Sequence, residues 1–162
     1  TMPSKKLDVA VRDLIDEGAD IRYTWRHFPV DGDCNATVSK YPKQYMGSCL
    51  MAQAVEAVGR VGNDEARWRL HAWLIENAQT VSANMLAEKA SELGGVDAAS
   101  VLSTMDNPSV RARVQQDISL KNRVWRRSVP ILLIAGKHAP RWSSTDVEAK
   151  DIIRQMVEEA AE

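Results

Sequence analysis

Residues 127–137 read Arg-Ser-Val-Pro-Ile-Leu-Leu-Ile-Ala-Gly-Lys, a proline directly before a short apolar run that a Gly-Lys turn ends. Proline has no amide hydrogen and therefore fits poorly inside a central strand. At the entrance to a strand it can adopt a cis peptide bond, which is a costly and usually purposeful feature. The segment predicts a strand over 131–135. The bond before Pro130 is either cis or that of an ordinary trans strand entrance.

Outward from this segment, the sequence predicts a block of helices between short strands. Apolar residues recur at helical spacing over 4–18, whereas apolar and polar residues alternate over 21–28, which is typical of a half-buried strand. Five helices follow, and Ser82, Asp97 and Asn107 are candidate caps for the last three. Their expected ranges are 44–61, 64–77, 82–93, 97–105 and 108–121. After the 131–135 strand come a short strand over 138–142 and a helix over 145–161 capped by Ser144 or Thr145.

Composition indicates one soluble globular domain. The 162 residues are 44% hydrophobic and 27% charged, with a formal net charge of −1 at pH 7. This length supports one domain with a buried core rather than two domains. The small net charge creates no global field that would recruit nucleic acid. No apolar run approaches membrane-spanning length, and no secretory signal is recognisable in the first residues.

Cys34 and Cys49 are the two cysteines of the chain. Two cysteines allow one disulfide, and two independent buried thiols are the alternative. A bridge would remove roughly 3 kcal/mol of loop entropy from the unfolded chain. It would also indicate an oxidising compartment.

Other motifs for chemistry are weak. No His, Cys, Asp and Glu set has metal-ligand spacing, so we predict no metal, and no phosphate-binding loop indicates a cofactor. His27, His71 and His138 are interpreted as packed or surface residues rather than catalytic ones. The Asp-Gly-Asp sequence at 31–33 lacks the later ligands of a calcium loop and predicts a turn. Basic side chains between 111 and 127 form either a solvated helix face or a surface that attracts acidic clients, and ordinary exposure of charge favours the former.

Several phrases, in this order along the chain, are similar to one known family. Residues 21–29 read IRYTWRHFP, residues 51–60 read MAQAVEAVGR and residues 68–74 read WRLHAWL; the Ser-Val-Pro phrase and the strand after it follow at 128–137. The chain resembles the DsbA-like branch of the thioredoxin superfamily, in which a helical domain is inserted into a thioredoxin fold. The resemblance covers nearly the whole chain.

The resemblance implies an α/β fold with a thioredoxin-like (DsbA-like) sheet and an inserted all-helical subdomain. Residues 1–43 and 122–162 would form the thioredoxin-like part and 44–121 the helical insertion, together one domain. The family's first strand and its Cys-x-x-Cys have no counterpart in these residues, and the second cysteine of that motif would lie at or just before Thr1.

The missing first strand would lie between the strands at 21–28 and 131–135. Without it two buried strand edges lack partners, and unpaired buried backbone groups are costly. Three explanations follow: the sequence is a fragment with a trimmed start, which we favour, another chain supplies the strand, or the sheet is rearranged. The open edge would also allow a homodimer.

For function, the resemblance implies a thiol-disulfide oxidoreductase or isomerase that acts on cysteines of extracytoplasmic proteins. Its catalytic cysteine pair lies outside this chain, which alone would be inactive and needs no cofactor. Ser128, Val129 and Pro130 would bind the substrate, with the bond before Pro130 cis, and Cys34 and Cys49 would form a structural disulfide.

The partners that the resemblance implies are cysteine-containing client proteins or peptides and a membrane redox partner, with no nucleic acid. The compartment would be the periplasm or cell envelope, as part of a longer or membrane-anchored protein. The alternative from another class is a noncatalytic thioredoxin-like domain that binds a peptide or serves as a scaffold.

Overall fold

A computed structural model describes residues 2–39, 43–77, 81–124, 129–140 and 146–161. The chain divides into two compact units. The terminal unit comprises residues 1–25 and 127–162, and the central unit comprises residues 26–126. The central unit therefore interrupts the terminal unit in sequence.

Two helices and a hairpin build the terminal unit. Helix α1 spans Met2–Asp16 and helix α7 spans Asp146–Ala161. Leu7, Val11 and Leu14 fall on one face of α1 by their spacing and are buried against α7. The predicted helix over 4–18 is therefore present, whereas the expected caps of α7, Ser144 and Thr145, lie outside the described residues.

The hairpin is shorter than predicted. Strand β1 spans Leu133–Ile134, strand β2 spans Lys137–His138, and the two pair antiparallel. Ala135 and Gly136 both have positive φ, 48° and 81°, which is the backbone of a type I′ turn. This turn ends β1 one residue before the end predicted from the apolar run, and the last two residues of the predicted 138–142 strand lie outside the described residues.

The strand predicted over 21–28 is not formed. Burial does alternate from Ile21 to Asp31, as the sequence pattern predicts, but no residue of this segment belongs to a ladder. A strand requires a hydrogen-bonded neighbour, and in the described part of the chain β1 and β2 pair only with each other. Side chains of Ile21, Tyr23, Leu132 and Ile134 instead cover the α1–α7 core. A thioredoxin-like sheet thus stays a prediction.

Five helices form the central unit after a short 3₁₀ turn, Lys43–Tyr45. They are α2 Ser48–Val61, α3 Asp64–Asn77, α4 Ala83–Gly94, α5 Ala98–Met105 and α6 Pro108–Val124.

Local signals explain several ends of these helices. Side chains of Ser82 and Asp97 accept hydrogen bonds from Met85 N and Ser100 N, and Gly95 ends α4 with φ 66°. Helix α2 begins at Ser48 rather than near residue 44, because Gly47 has φ 85°, outside the helical region. No described helix has the length and apolar character to cross a membrane.

The division implied by the resemblance, at 43/44 and 121/122, stays a prediction, whereas the compact units of the structure divide at 25/26 and 126/127. The physical reason is that residues 26–39 are tied to the central helices. His27 hydrogen-bonds to side chains of α2 and α6, and Cys34 is bridged to Cys49. These long-range contacts are invisible in the local sequence pattern.

Candidate functional site

The predicted client-binding loop lies at the entrance to the hairpin. The Val129–Pro130 peptide bond is cis, and both residues are half-buried. Two residues later, the carbonyl of Leu132 accepts a hydrogen bond from Ala139 N at 3.0 Å, which closes the hairpin base. Leu133 is 45% exposed. Ser128, the third predicted substrate-binding residue, lies outside the described residues, as do Trp125 and Arg141.

The core of the terminal unit contains a buried acid. Asp8 of α1 is 1% exposed and pairs with Arg12 at 2.6 Å. Burial, together with the negative charge of Asp8, raises the pKa of Tyr23 to about 12. Tyr23 is therefore held in its neutral form.

In the central unit, Cys34 and Cys49 are joined by a disulfide, with Cα atoms 5.9 Å apart. Cys49 is the second residue of α2 and is buried, whereas Cys34 is half-buried in the loop before it. An external thiolate would therefore meet Cys34 first and would have to displace the sulfur of Cys49.

Asp31 occupies the N-terminus of α2, next to this bridge. Its buried carboxylate accepts hydrogen bonds from Gly47 N at 2.8 Å and Cys49 N at 3.4 Å through Oδ2, and from Asp33 N at 3.1 Å through Oδ1. The predicted turn at 31–33 is therefore present, and the Asp31 carboxylate stabilises it by accepting the hydrogen bond from Asp33 N. Helix N-termini stabilise thiolates, but this one already holds a negative charge. The arrangement favours a structural bridge over a reactive one.

A buried polar cluster joins the 26–28 segment to α2 and α6. His27 Nε2 lies 3.1 Å from Glu56 Oε1, and Arg67 Nη2 lies 2.8 Å from the same oxygen. The backbone N–H of His27 donates to Asp117 Oδ2 at 3.1 Å. Burial opposes ionisation of Glu56, but the hydrogen bond with His27 and the charge of Arg67 outweigh it and lower the pKa of Glu56. His27 is a packed residue, as interpreted from the sequence.

Three groups of this cluster meet the geometric requirement for a metal, contrary to the expectation from spacing. Ligand atoms of His27, Glu56 and Asp117 all lie within 4.8 Å of one another. Sequence reasoning missed the cluster because its members come from three separate elements. Charge argues against a cation here, because Arg67 already pairs with Glu56, and two further guanidinium groups face Asp117. The cluster is best described as a network in which each of the two carboxylates is already paired with arginine.

Those two guanidinium groups belong to Arg26 and Arg113. Their nitrogens lie 3.4 Å and 3.7 Å from Asp117 Oδ1, and their side chains are 47% and 35% exposed. Of the other two histidines, His71 stacks on Trp68 with ring centroids 5.4 Å apart, and His138 lies in β2 opposite Leu133.

Comparison with known proteins finds no matching family model, no matching curated protein and no matching solved structure. The DsbA-like resemblance therefore depends on the phrases quoted above and stays a prediction.

Proposed function

We propose that this chain supplies the client-binding part of a DsbA-like thiol-disulfide oxidoreductase or isomerase, whose catalytic cysteine pair lies outside these residues. The observation that carries the proposal is the position of the half-buried Val129 and Pro130 at the entrance to the hairpin, where the family places its client-binding loop. The order of the elements supports it as well, since a helical unit interrupts a unit built from α1, the hairpin and α7. The compartment proposed with this function is the periplasm or cell envelope.

In this function, the backbone beside Pro130 would bind an extended client segment through main-chain hydrogen bonds. A client thiolate attacks the disulfide of the catalytic pair, which forms a mixed disulfide and releases one thiolate of the pair. A second client thiolate then displaces the remaining enzyme sulfur, so the client becomes oxidised and the pair reduced; the reverse sequence reduces a client. The residues of this chain would hold and orient the client during both steps.

The second candidate is a noncatalytic peptide-binding or scaffold domain. One specific observation favours it: both cysteines of the chain are consumed in a bridge, and the buried member lies beside the Asp31 carboxylate. Under this candidate the same loop binds a peptide, but no catalytic pair acts on it.

An NMR titration with a cysteine-to-serine client peptide tests the binding step common to both candidates. We expect chemical-shift changes concentrated at residues 129–139, and their loss in Pro130→Ala. Pro108→Ala is the matched control, because Pro108 occupies the first turn of α6, where proline is not required. Chemical-shift changes confined to other residues, or no changes at millimolar peptide, would contradict the proposal that this loop binds the peptide.

An insulin-reduction assay tests whether the Cys34–Cys49 disulfide is itself redox-active or only structural. We expect no turnover by the isolated chain above that of a Cys34→Ala/Cys49→Ala variant. Turnover that disappears in this variant would show that the bridge is redox-active and that its structural assignment is wrong. Sedimentation at high protein concentration tests the homodimer that an open sheet edge would allow, and a purely monomeric boundary would exclude it.

A further inference from the structure

The pair of arginines on Asp117 has an unusual charge balance. Asp117 is 2% exposed, and its Oδ2 is taken by the backbone N–H of His27. Its Oδ1 alone faces both Arg26 and Arg113. Two cations therefore share a single buried anion, which leaves an excess of one positive charge at half-exposed side chains.

The guanidinium groups are held loosely by this anion. Charge-assisted hydrogen bonds between nitrogen and carboxylate oxygen typically measure about 2.7–2.9 Å, whereas these two contacts measure 3.4 Å and 3.7 Å. The other buried acid of the cluster, Glu56, is engaged by Arg67 and His27. Among the described residues, no second carboxylate lies within 4.0 Å of Arg26 or Arg113. Their remaining N–H donors can bind a further acceptor.

An apolar stripe continues from this pair along α6. Leu120 and Val124 follow Asp117 by three and seven residues and therefore lie on the same side of the helix as Arg113 and Asp117. Leu120 is 36% exposed and Val124 is 41% exposed. The exposed Arg123 lies beside them in sequence. Positive charge and exposed apolar surface thus adjoin on one helix face.

We infer that this surface, formed by Arg26, Arg113, Leu120 and Val124, binds an acidic peptide segment. A carboxylate side chain of the peptide would bridge the two guanidinium groups, whose planar donor forks match a carboxylate. A neighbouring apolar side chain would cover the Leu120–Val124 stripe. Charge complementarity selects an acidic partner, and the stripe selects a peptide over a small free anion. Asp117 acts as a positioning residue, because its buried carboxylate contacts both arginine side chains.

Fluorescence anisotropy with a labelled peptide of alternating glutamate and leucine tests this surface in the full chain. We expect saturable binding that weakens as salt is raised, and no binding of the matched glutamine-leucine peptide. Arg113→Gln should weaken binding about tenfold, since a charge-assisted pair is lost. Leu120→Ser should also weaken it. Unchanged circular dichroism melting of each variant separates loss of binding from loss of fold.

The matched control is Arg111→Gln. Arg111 lies on the same helix, is 52% exposed in its side chain and pairs with Asp106 rather than with Asp117. Its substitution removes the same charge and should change the affinity less than twofold. Equal weakening by Arg111→Gln and Arg113→Gln would overturn the inference, because binding would then reflect net charge alone. Equal affinity for the two peptides, or full competition by inorganic phosphate at low millimolar concentration, would overturn it as well.

Discussion

Removal of the Cys34–Cys49 bridge offers a quantitative test of its structural role. The bridged residues are 15 positions apart, and closing a loop of this length removes unfolded-state entropy worth about 3 kcal/mol. The folded loop has other restraints, since Asp31 hydrogen-bonds to Gly47 and Cys49, and the Asn35 side chain donates to the Pro29 carbonyl. We therefore expect the Cys34→Ala/Cys49→Ala variant to fold correctly but to unfold more easily.

Urea unfolding followed by circular dichroism measures the effect. The free energy of unfolding should fall by about 3 kcal/mol, and the melting temperature by about 6–12 °C for a chain of this size. The reduced wild-type chain is the control, because it loses the bond but keeps both sulfur atoms. A loss below about 1 kcal/mol with an unchanged dependence on urea would refute the loop-entropy argument. Loss of the native spectrum would instead show that the bridge shapes the fold.

Three further predictions concern single side chains. Ala135→Asn should raise the free energy of unfolding by up to about 1 kcal/mol, because Ala135 has φ 48° and asparagine tolerates this region better; a lower value in urea unfolding would contradict the turn. The pKa of Glu56 is lowered in the folded state, so the ionised carboxylate stabilises the fold at pH values above the ordinary pKa of 4.5. This contribution to the free energy of unfolding is lost as pH falls through the folded-state pKa. Glu56→Gln should therefore make the acid limb of a stability–pH curve shallower, and an unchanged limb would exclude Glu56 as its source. Because the pKa of Tyr23 is raised from 10.0 to about 12, stability should fall as pH rises between these values; tyrosinate absorbance should show this late step, and its persistence in Tyr23→Phe would refute the assignment.

The helical part of the fold could be predicted from sequence because its signals are local. Ser82 and Asp97 cap α4 and α5 through side chains placed three residues before the amides they bind. Glycine at 95 ends α4 by adopting positive φ. Each of these signals acts within one turn of helix, so a short window of sequence contains both the group and its partner.

The predicted strand at 21–28 shows where local signals stop. Its alternating burial is present, because successive side chains of an extended segment point to opposite sides whether or not the segment has a hydrogen-bonded neighbour. Its ladder is absent from the described residues, because a ladder depends on a second strand at the right place. The same reasoning explains why residues 26–39 belong to the compact central unit, since their contacts with the central helices span long stretches of chain.

The candidate sites divide in the same way. The proline loop and the two cysteines could be found in the sequence, because proline and cysteine carry their chemistry in their own side chains. The clusters around Glu56 and Asp117 could not, because His27 contacts them across 29 and 90 residues of chain. The sequence by itself determined the approximate extent of the helices, the caps of α4 and α5 and the position of the proline loop. Only the tertiary structure decided which charges are buried together and which arginines share one acid, since burial and distance arise when separate elements pack.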